Sequence, residues 1–184
     1  MKKKVSFYLK SKSNNMIKIF DNKVSFNSMQ QIYTFCCKSY YNLGWSDRTF
    51  EKWSPNIHSD WTKDDVKKSG LFHYIEKLDK KLKLGVDKNF DKCIVNLSKS
   101  DDYYFTHTHP NSIVILYYAN LEWPEGSGGE TIFYDKNSIN AVEVCSFVPG
   151  RFVVFDGEQP HTIRAQSTYG PDYRFTISYF VKKE

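Results

Sequence analysis

The hydrophobic period of this chain changes once, near Phe90, and nothing else in the sequence limits the fold so strongly. Before that point apolar residues recur at helical spacing. After it they alternate, as they do along strands with one buried face. Candidate strands fall at residues 92–97, 103–109, 113–120, 130–134, 141–147, 151–155, 162–166 and 175–181. Turn-forming residues separate them: Asp101-Asp102, Pro124 to Gly129, Asp135 to Asn137, Pro149-Gly150, Gly157 and Gly170-Pro171. Short strands with such regular punctuation read as a double-sheet β fold of the jelly-roll kind. The expected class is mainly β with N-terminal helices, in one domain spanning 1–184. Residues 1–89 are expected to form a helical and loop buttress, and 90–184 the β core.

In the first half, short strands are expected at 5–9 and 16–20, with a turn at Asp21-Asn22. Ser28 is read as a helix cap with Gln31 as its capping-box partner, the helix running to about Tyr41 and stopping near Gly44. Residues 45–61 read as an irregular, tryptophan-bearing loop that packs on or covers something. Thr62 opens a second helix, with Asp65 three residues on, and a third is expected over 71–84. Its stripe of Phe72, Ile75, Leu78 and Leu82 reads as core packing.

An aromatic content of 17%, with 14 Phe and 13 Tyr, suits a strand-rich core. The net charge of +5 comes largely from Lys2-Lys3-Lys4 and from Lys80, Lys81 and Lys83. It reads as a solvated surface and tail rather than a nucleic-acid face. Cys36, Cys37, Cys93 and Cys145 form no C-x-x-C pair, which suits reduced thiols in the cytoplasm. The basic start lacks an apolar signal region, and no run approaches the ~20 apolar residues of a membrane span.

Three of the five histidines gather in the β half: His107-Thr108-His109, then His161 52 residues after His109. Residues i and i+2 of an extended segment share a face, so His107 and His109 can point into one cavity. A third imidazole after a glycine turn can complete one face of a metal ion. Arg174, 13 residues beyond His161, is the natural partner for an anionic ligand. His58 and His73 have no such company and read as structural. Glu130 reads equally as a partner that orients a ligand histidine or as a strand-end surface charge.

An ordered set of motifs runs from Cys93-Ile94-Val95-Asn96 to His107, through Leu116-Tyr117-Tyr118-Ala119-Asn120, Trp123 and Gly128-Gly129-Glu130-Thr131. It continues with Pro149-Gly150-Arg151, Phe155-Asp156-Gly157, Pro160-His161 and Tyr173-Arg174-Phe175. This set, spanning roughly 90–182, resembles the Fe(II)/2-oxoglutarate-dependent dioxygenases, in their prolyl-4-hydroxylase-like branch met in marine bacteria and phages. The resemblance implies a double-stranded β-helix. It implies Fe(II) and 2-oxoglutarate as cofactors, with ascorbate as an optional reductant, and C–H hydroxylation by O2 that yields succinate and CO2. His107 and His161 match the first and distal iron ligands, and Arg174 the arginine that meets the far carboxylate of 2-oxoglutarate. Tyr117, Tyr118 or Thr176 would add a hydrogen bond to that carboxylate. No catalytic residue is implied beyond the metal centre. The implied substrate is a small molecule or a peptide, with no membrane or nucleic-acid partner.

The chain departs from this family at the second ligand, where a carboxylate is expected and His109 stands. Three accounts follow: a three-histidine site, a shifted His109/Asn111 pair, or a copy that holds metal poorly. The first is preferred. The loops 45–61 and 123–128 either wall the substrate pocket or only cover barrel ends. Other classes also use such histidines: a zinc enzyme for hydration or hydrolysis, a cupin-like metal-binding module, or an inactive scaffold kept for protein binding. A cupin would carry its glutamate within a few residues of the pair, whereas here the nearest is Glu122.

Overall fold

Strands on both sides of Phe90 join one sheet, so the change of period does not divide the molecule into a buttress and a core. The computed structural model describes residues 17–45, 56–100, 102 and 104–183. In chain order it contains β1 (Ile17–Phe20), α1 (Phe26–Cys37), β2 (Asn42–Trp45), β3 (Asn56–Trp61), α2 (Lys63–Lys68) and α3 (Leu71–Leu82). There follow β4 (Phe90–Ser98), β5 (Ser112–Tyr118), β6 (Thr131–Tyr134), β7 (Ala141–Cys145), β8 (Phe152–Asp156), β9 (His161–Ile163) and β10 (Arg174–Lys182). The larger sheet has the order β1-β8-β5-β10-β4-β3-β2 and the smaller one β7-β6-β9. Every named strand pair is antiparallel, which gives the expected mainly β, jelly-roll class.

The N-terminal half therefore supplies β1, β2 and β3 as well as helices. β3 occupies the end of the expected irregular loop, and the expected strand at 5–9 lies outside the described residues. The helix cap also differs. Ser25 caps α1, its hydroxyl accepting from the Ser28 amide at 3.3 Å, so the helix starts three residues before the Ser28 reading. Thr62 does form the expected capping box with Asp65.

Strand alternation divides the core into two layers. Ile115, Tyr117, Phe152, Val154, Phe175, Ile177 and Tyr179 face the helices, where Ile32, Phe72, Ile75 and Leu78 meet them. Ile94, Val114, Leu116, Tyr118, Phe133, Phe155 and Phe180 lie between the two sheets. Each fully buried side chain of this size contributes about 1.5–3 kcal/mol. The helices fix one face of the larger sheet. The other is left to form a cavity with the smaller sheet.

Candidate metal centre

Among the described residues 104–109 the expected strand is absent as a ladder. In residues 104–109 only His107 pairs, in an isolated antiparallel bridge with His161. That bridge is the basis of the site. The His107 amide donates to the His161 carbonyl at 3.0 Å, and the His161 amide donates back at 3.1 Å. Residues paired in this way lie directly opposite and project their side chains to the same face. His109, two residues further, shares that face. The Thr162 hydroxyl holds the approach by donating to the Tyr104 carbonyl at 3.1 Å.

The three imidazoles converge. One ligand nitrogen from each of His107, His109 and His161 lies within 4.8 Å of the others. Ring centroids are separated by 4.4 Å for His107 and His161, 4.8 Å for His107 and His109, and 5.1 Å for His109 and His161. Backbone carbonyls orient two of the rings. His107 Nδ1 meets the Phe105 carbonyl at 3.0 Å, and His161 Nδ1 meets the Gln159 carbonyl at 2.9 Å. A carbonyl only accepts, so each Nδ1 carries the proton and each Nε2 keeps its lone pair for an ion. Glu130 takes no part in this. Its carboxylate meets Arg164 at 3.5 Å.

His109 is held differently. Its ring packs edge-on to Phe180 at 4.9 Å. Its amide donates to the Gly157 carbonyl at 2.6 Å, while the Gly157 amide donates to the Ser112 carbonyl at 2.8 Å. A Cβ at residue 157 would overlap the His109 carbonyl oxygen, so only glycine lets the two segments approach this closely. Burial, followed by the nearby His107 and Lys92 charges, pushes the His109 pKa down to about 3. Burial first, then His107, holds His161 well below the usual range. Both rings are neutral near pH 7, as metal ligation requires. Asn111 does not join them. It is exposed in a left-handed turn, φ +59°, which removes the His109/Asn111 account.

Arg174 opens β10, is 1% exposed, and projects between the sheets. Its Nε donates to the Gly129 carbonyl at 3.1 Å. Both terminal nitrogens are buried without a hydrogen-bond partner. Burial works against the charge of Arg174, and Tyr118, Tyr104 and Glu130 act in the opposite direction. Thr176, on the same face of β10, has a buried hydroxyl that is also without a partner. An anion that can accept several hydrogen bonds fits these donors.

The cavity holds the three histidines and Thr176. Asn96, Tyr104, Thr131, Thr176 and Ser178 line it together with the three histidines, among apolar walls that include Ile94, Leu116 and Phe155. Of the tyrosine candidates, Tyr118 lies on the inner face, its hydroxyl 2.7 Å from Thr131 Oγ1. Tyr117 does not. It packs among the helix-side residues, 4.8 Å from the Phe152 ring, because adjacent strand residues face opposite ways. Tyr104 was missed by sequence reading. It lies in the cavity wall, and burial pushes its pKa up to about 12. Of the expected loop, Ile57 lines the cavity, whereas Trp61 covers the helix side, edge-on to Phe35 at 5.0 Å.

Solved structures show the same architecture. A Pseudomonas putida prolyl-4-hydroxylase superposes with a TM-score of 0.64 at 15% identity, over 92% of this chain and 94% of that one. A prolyl hydroxylase from Trichoplax adhaerens, solved in complex with a hypoxia inducible factor oxygen degradation domain peptide fragment, gives 0.66 at 16%, over 90% and 83%. An oxidoreductase of the 2OG-Fe(II) oxygenase family from Burkholderia pseudomallei gives 0.66 at 10%, over 91% and 85%. No family sequence model and no curated protein sequence matches the chain. The fold is thus that of these 2-oxoglutarate and Fe(II) oxygenase structures.

Proposed function

We propose that this chain is a non-haem Fe(II) dioxygenase that uses 2-oxoglutarate and O2 to hydroxylate a C–H bond, releasing succinate and CO2. One observation carries the reading: three imidazoles within 4.8 Å of one another line a cavity together with Thr176, two residues along β10 from a buried guanidinium whose terminal nitrogens are unpartnered. The donor set fits the metal. Imidazole suits iron, and three facial nitrogens leave positions for cosubstrate and oxygen. Among the described residues no carboxylate joins the cluster. The ion's double positive charge then falls to an anionic cosubstrate to offset. When bound, iron and 2-oxoglutarate supply oxygen activation coupled to oxidative decarboxylation.

The protein's own residues do the rest. His107, His109 and His161 hold the metal, the first two fixed by the His161 bridge and by Gly157. Arg174 takes the distal carboxylate through its terminal nitrogens, and the Thr176 hydroxyl adds a donor beside it. Tyr118 supports Thr131 from below. The apolar walls exclude water from the reacting centre. The substrate is a small molecule or a peptide. The peptide-bound Trichoplax structure supports a peptide. No helix among the described residues is long and apolar enough to cross a membrane. All four cysteines are free thiols, which supports a reducing, cytoplasmic setting.

A hydrolytic zinc site is the second reading, because an all-imidazole set also suits zinc. That reading gives Arg174 no role. Purified protein should release labelled CO2 from 2-oxoglutarate with Fe(II) and not with Zn(II). Turnover of an ester substrate with zinc, and no decarboxylation with iron, would reverse the choice.

A further inference from the structure

A buried guanidinium aimed at one carboxylate needs something to hold its plane, and the Nε bond to Gly129 alone leaves it free to rotate. Two aromatic rings also meet it. Arg174 Cζ lies over the Phe147 ring at 4.9 Å and over the Tyr118 ring at 5.7 Å. Those two rings stack, with centroids 4.5 Å apart and planes 20° from parallel. Trp123 packs on Phe147 at 4.2 Å, and its indole N–H donates to the Gly128 carbonyl at 2.9 Å. Gly129, at φ +79°, leaves room for the group. A Cβ there would lie 2.9 Å from Trp123 Cζ2 and 3.2 Å from Arg174 Nε. Phe147 touches Arg174, Tyr118 and Trp123. It sits in the connection between β7 and β8, where no ladder fixes its place, and it is 5% exposed.

We propose that Phe147, packed against Tyr118 and Trp123, is a positioning residue that holds the Arg174 guanidinium for the distal carboxylate of a dicarboxylate cosubstrate. This rests on the reading that Arg174 binds that carboxylate. A cation over an aromatic face is attracted by the ring quadrupole, and the attraction grows when water is excluded. The ring therefore acts on the ligand through the arginine, without touching the ligand itself.

A double-variant cycle separates these possibilities. The affinity of 2-oxoglutarate for Mn(II)-loaded protein is measured by calorimetry in the parent, Phe147→Leu, Arg174→Ala and the double variant. Phe147→Leu should weaken binding about 3- to 30-fold and leave Mn(II) affinity unchanged. In the Arg174→Ala background the same change should have no further effect. Pentafluorophenylalanine at position 147 keeps the ring's shape but reverses its quadrupole, and should weaken binding in the same direction even if leucine unsettles the fold. Parent-like affinity in the pentafluoro protein, or an equal loss from Phe147→Leu with and without Arg174, overturns the proposal. Parent-like affinity in Arg174→Ala alone would instead refute the cosubstrate reading beneath it.

Discussion

Replacing Arg174 by methionine should make the ligand-free protein more stable while it loses 2-oxoglutarate. Both terminal guanidinium nitrogens are buried and unpartnered. Burying a donor without a partner costs about 1–3 kcal/mol, so the two together cost about 2–6 kcal/mol. Methionine would lose the Nε bond to Gly129, worth about 1 kcal/mol. It would also lose the ring contacts, worth about 0.5–2 kcal/mol. Its flexible thioether fills the same channel. At the middle of these ranges the net gain is about 2 kcal/mol, which for a chain of this size is a rise of roughly 4–8 °C in Tm. Differential scanning calorimetry on metal-free protein reads that rise. The same scan with 2-oxoglutarate and Mn(II) should show a ligand-induced increase in the parent and none in Arg174→Met. A lower Tm in the ligand-free variant would show that the guanidinium is satisfied by the fold. The argument that it waits for an anion would then fail.

Other outcomes follow from the same geometry. His161→Ala removes a ring and its Nδ1 anchor, and should abolish stoichiometric iron binding by metal analysis; retained iron would exclude His161 as a ligand. His109→Asp places a carboxylate where the family has one, and should keep iron binding and 2-oxoglutarate decarboxylation within about tenfold of the parent; complete loss would mark the three-imidazole set as obligatory. Gly157→Ala forces apart the segments that fix His109, and should weaken iron by about 10–100-fold while helix content by circular dichroism is unchanged. Arg151 pairs with Asp21 at 2.7 and 2.9 Å and holds the Asp21 carboxyl below its usual value of 3.8. That pairing contributes fully above pH ~4 and is lost as pH falls through the lowered value. Asp21→Asn should therefore flatten the fall in stability with acid below pH ~4, as seen in urea melts at several pH values.

The pairing of His107 with His109 could be read from sequence because its geometry is local. His107 and His109 are one residue apart in an extended segment, and that alone puts them on one face. His161 and Arg174 followed from their order along a resemblance spanning the β half. What misled was of three kinds. Tyr117 and Tyr118 are neighbours in β5 and must face opposite ways, and the sequence does not say which faces the cavity. Helix contacts settle it, since Ile115 and Tyr117 pack under α1 and α3. Residues 103–109 alternate like a strand, yet only His107 finds a ladder partner. The pairing depends on where a segment more than fifty residues away passes. β3 gave no clear strand signal, because in Asn-Ile-His-Ser-Asp-Trp the polar Ser59 interrupts the one apolar face between Ile57 and Trp61, and the segment gains its order from pairing with β4. Gly157 was visible only as a turn residue. Its closeness to His109 is a tertiary fact.

A crystal of the iron-loaded protein grown without oxygen in the presence of 2-oxoglutarate, with the metal placed by anomalous scattering, puts the whole arrangement to the test. A single ion about 2.1 Å from one nitrogen each of His107, His109 and His161, with a carboxylate of the ligand on Arg174, is the expected result. An ion held by fewer than three of these rings, or a ligand carboxylate bound away from Arg174, would contradict it.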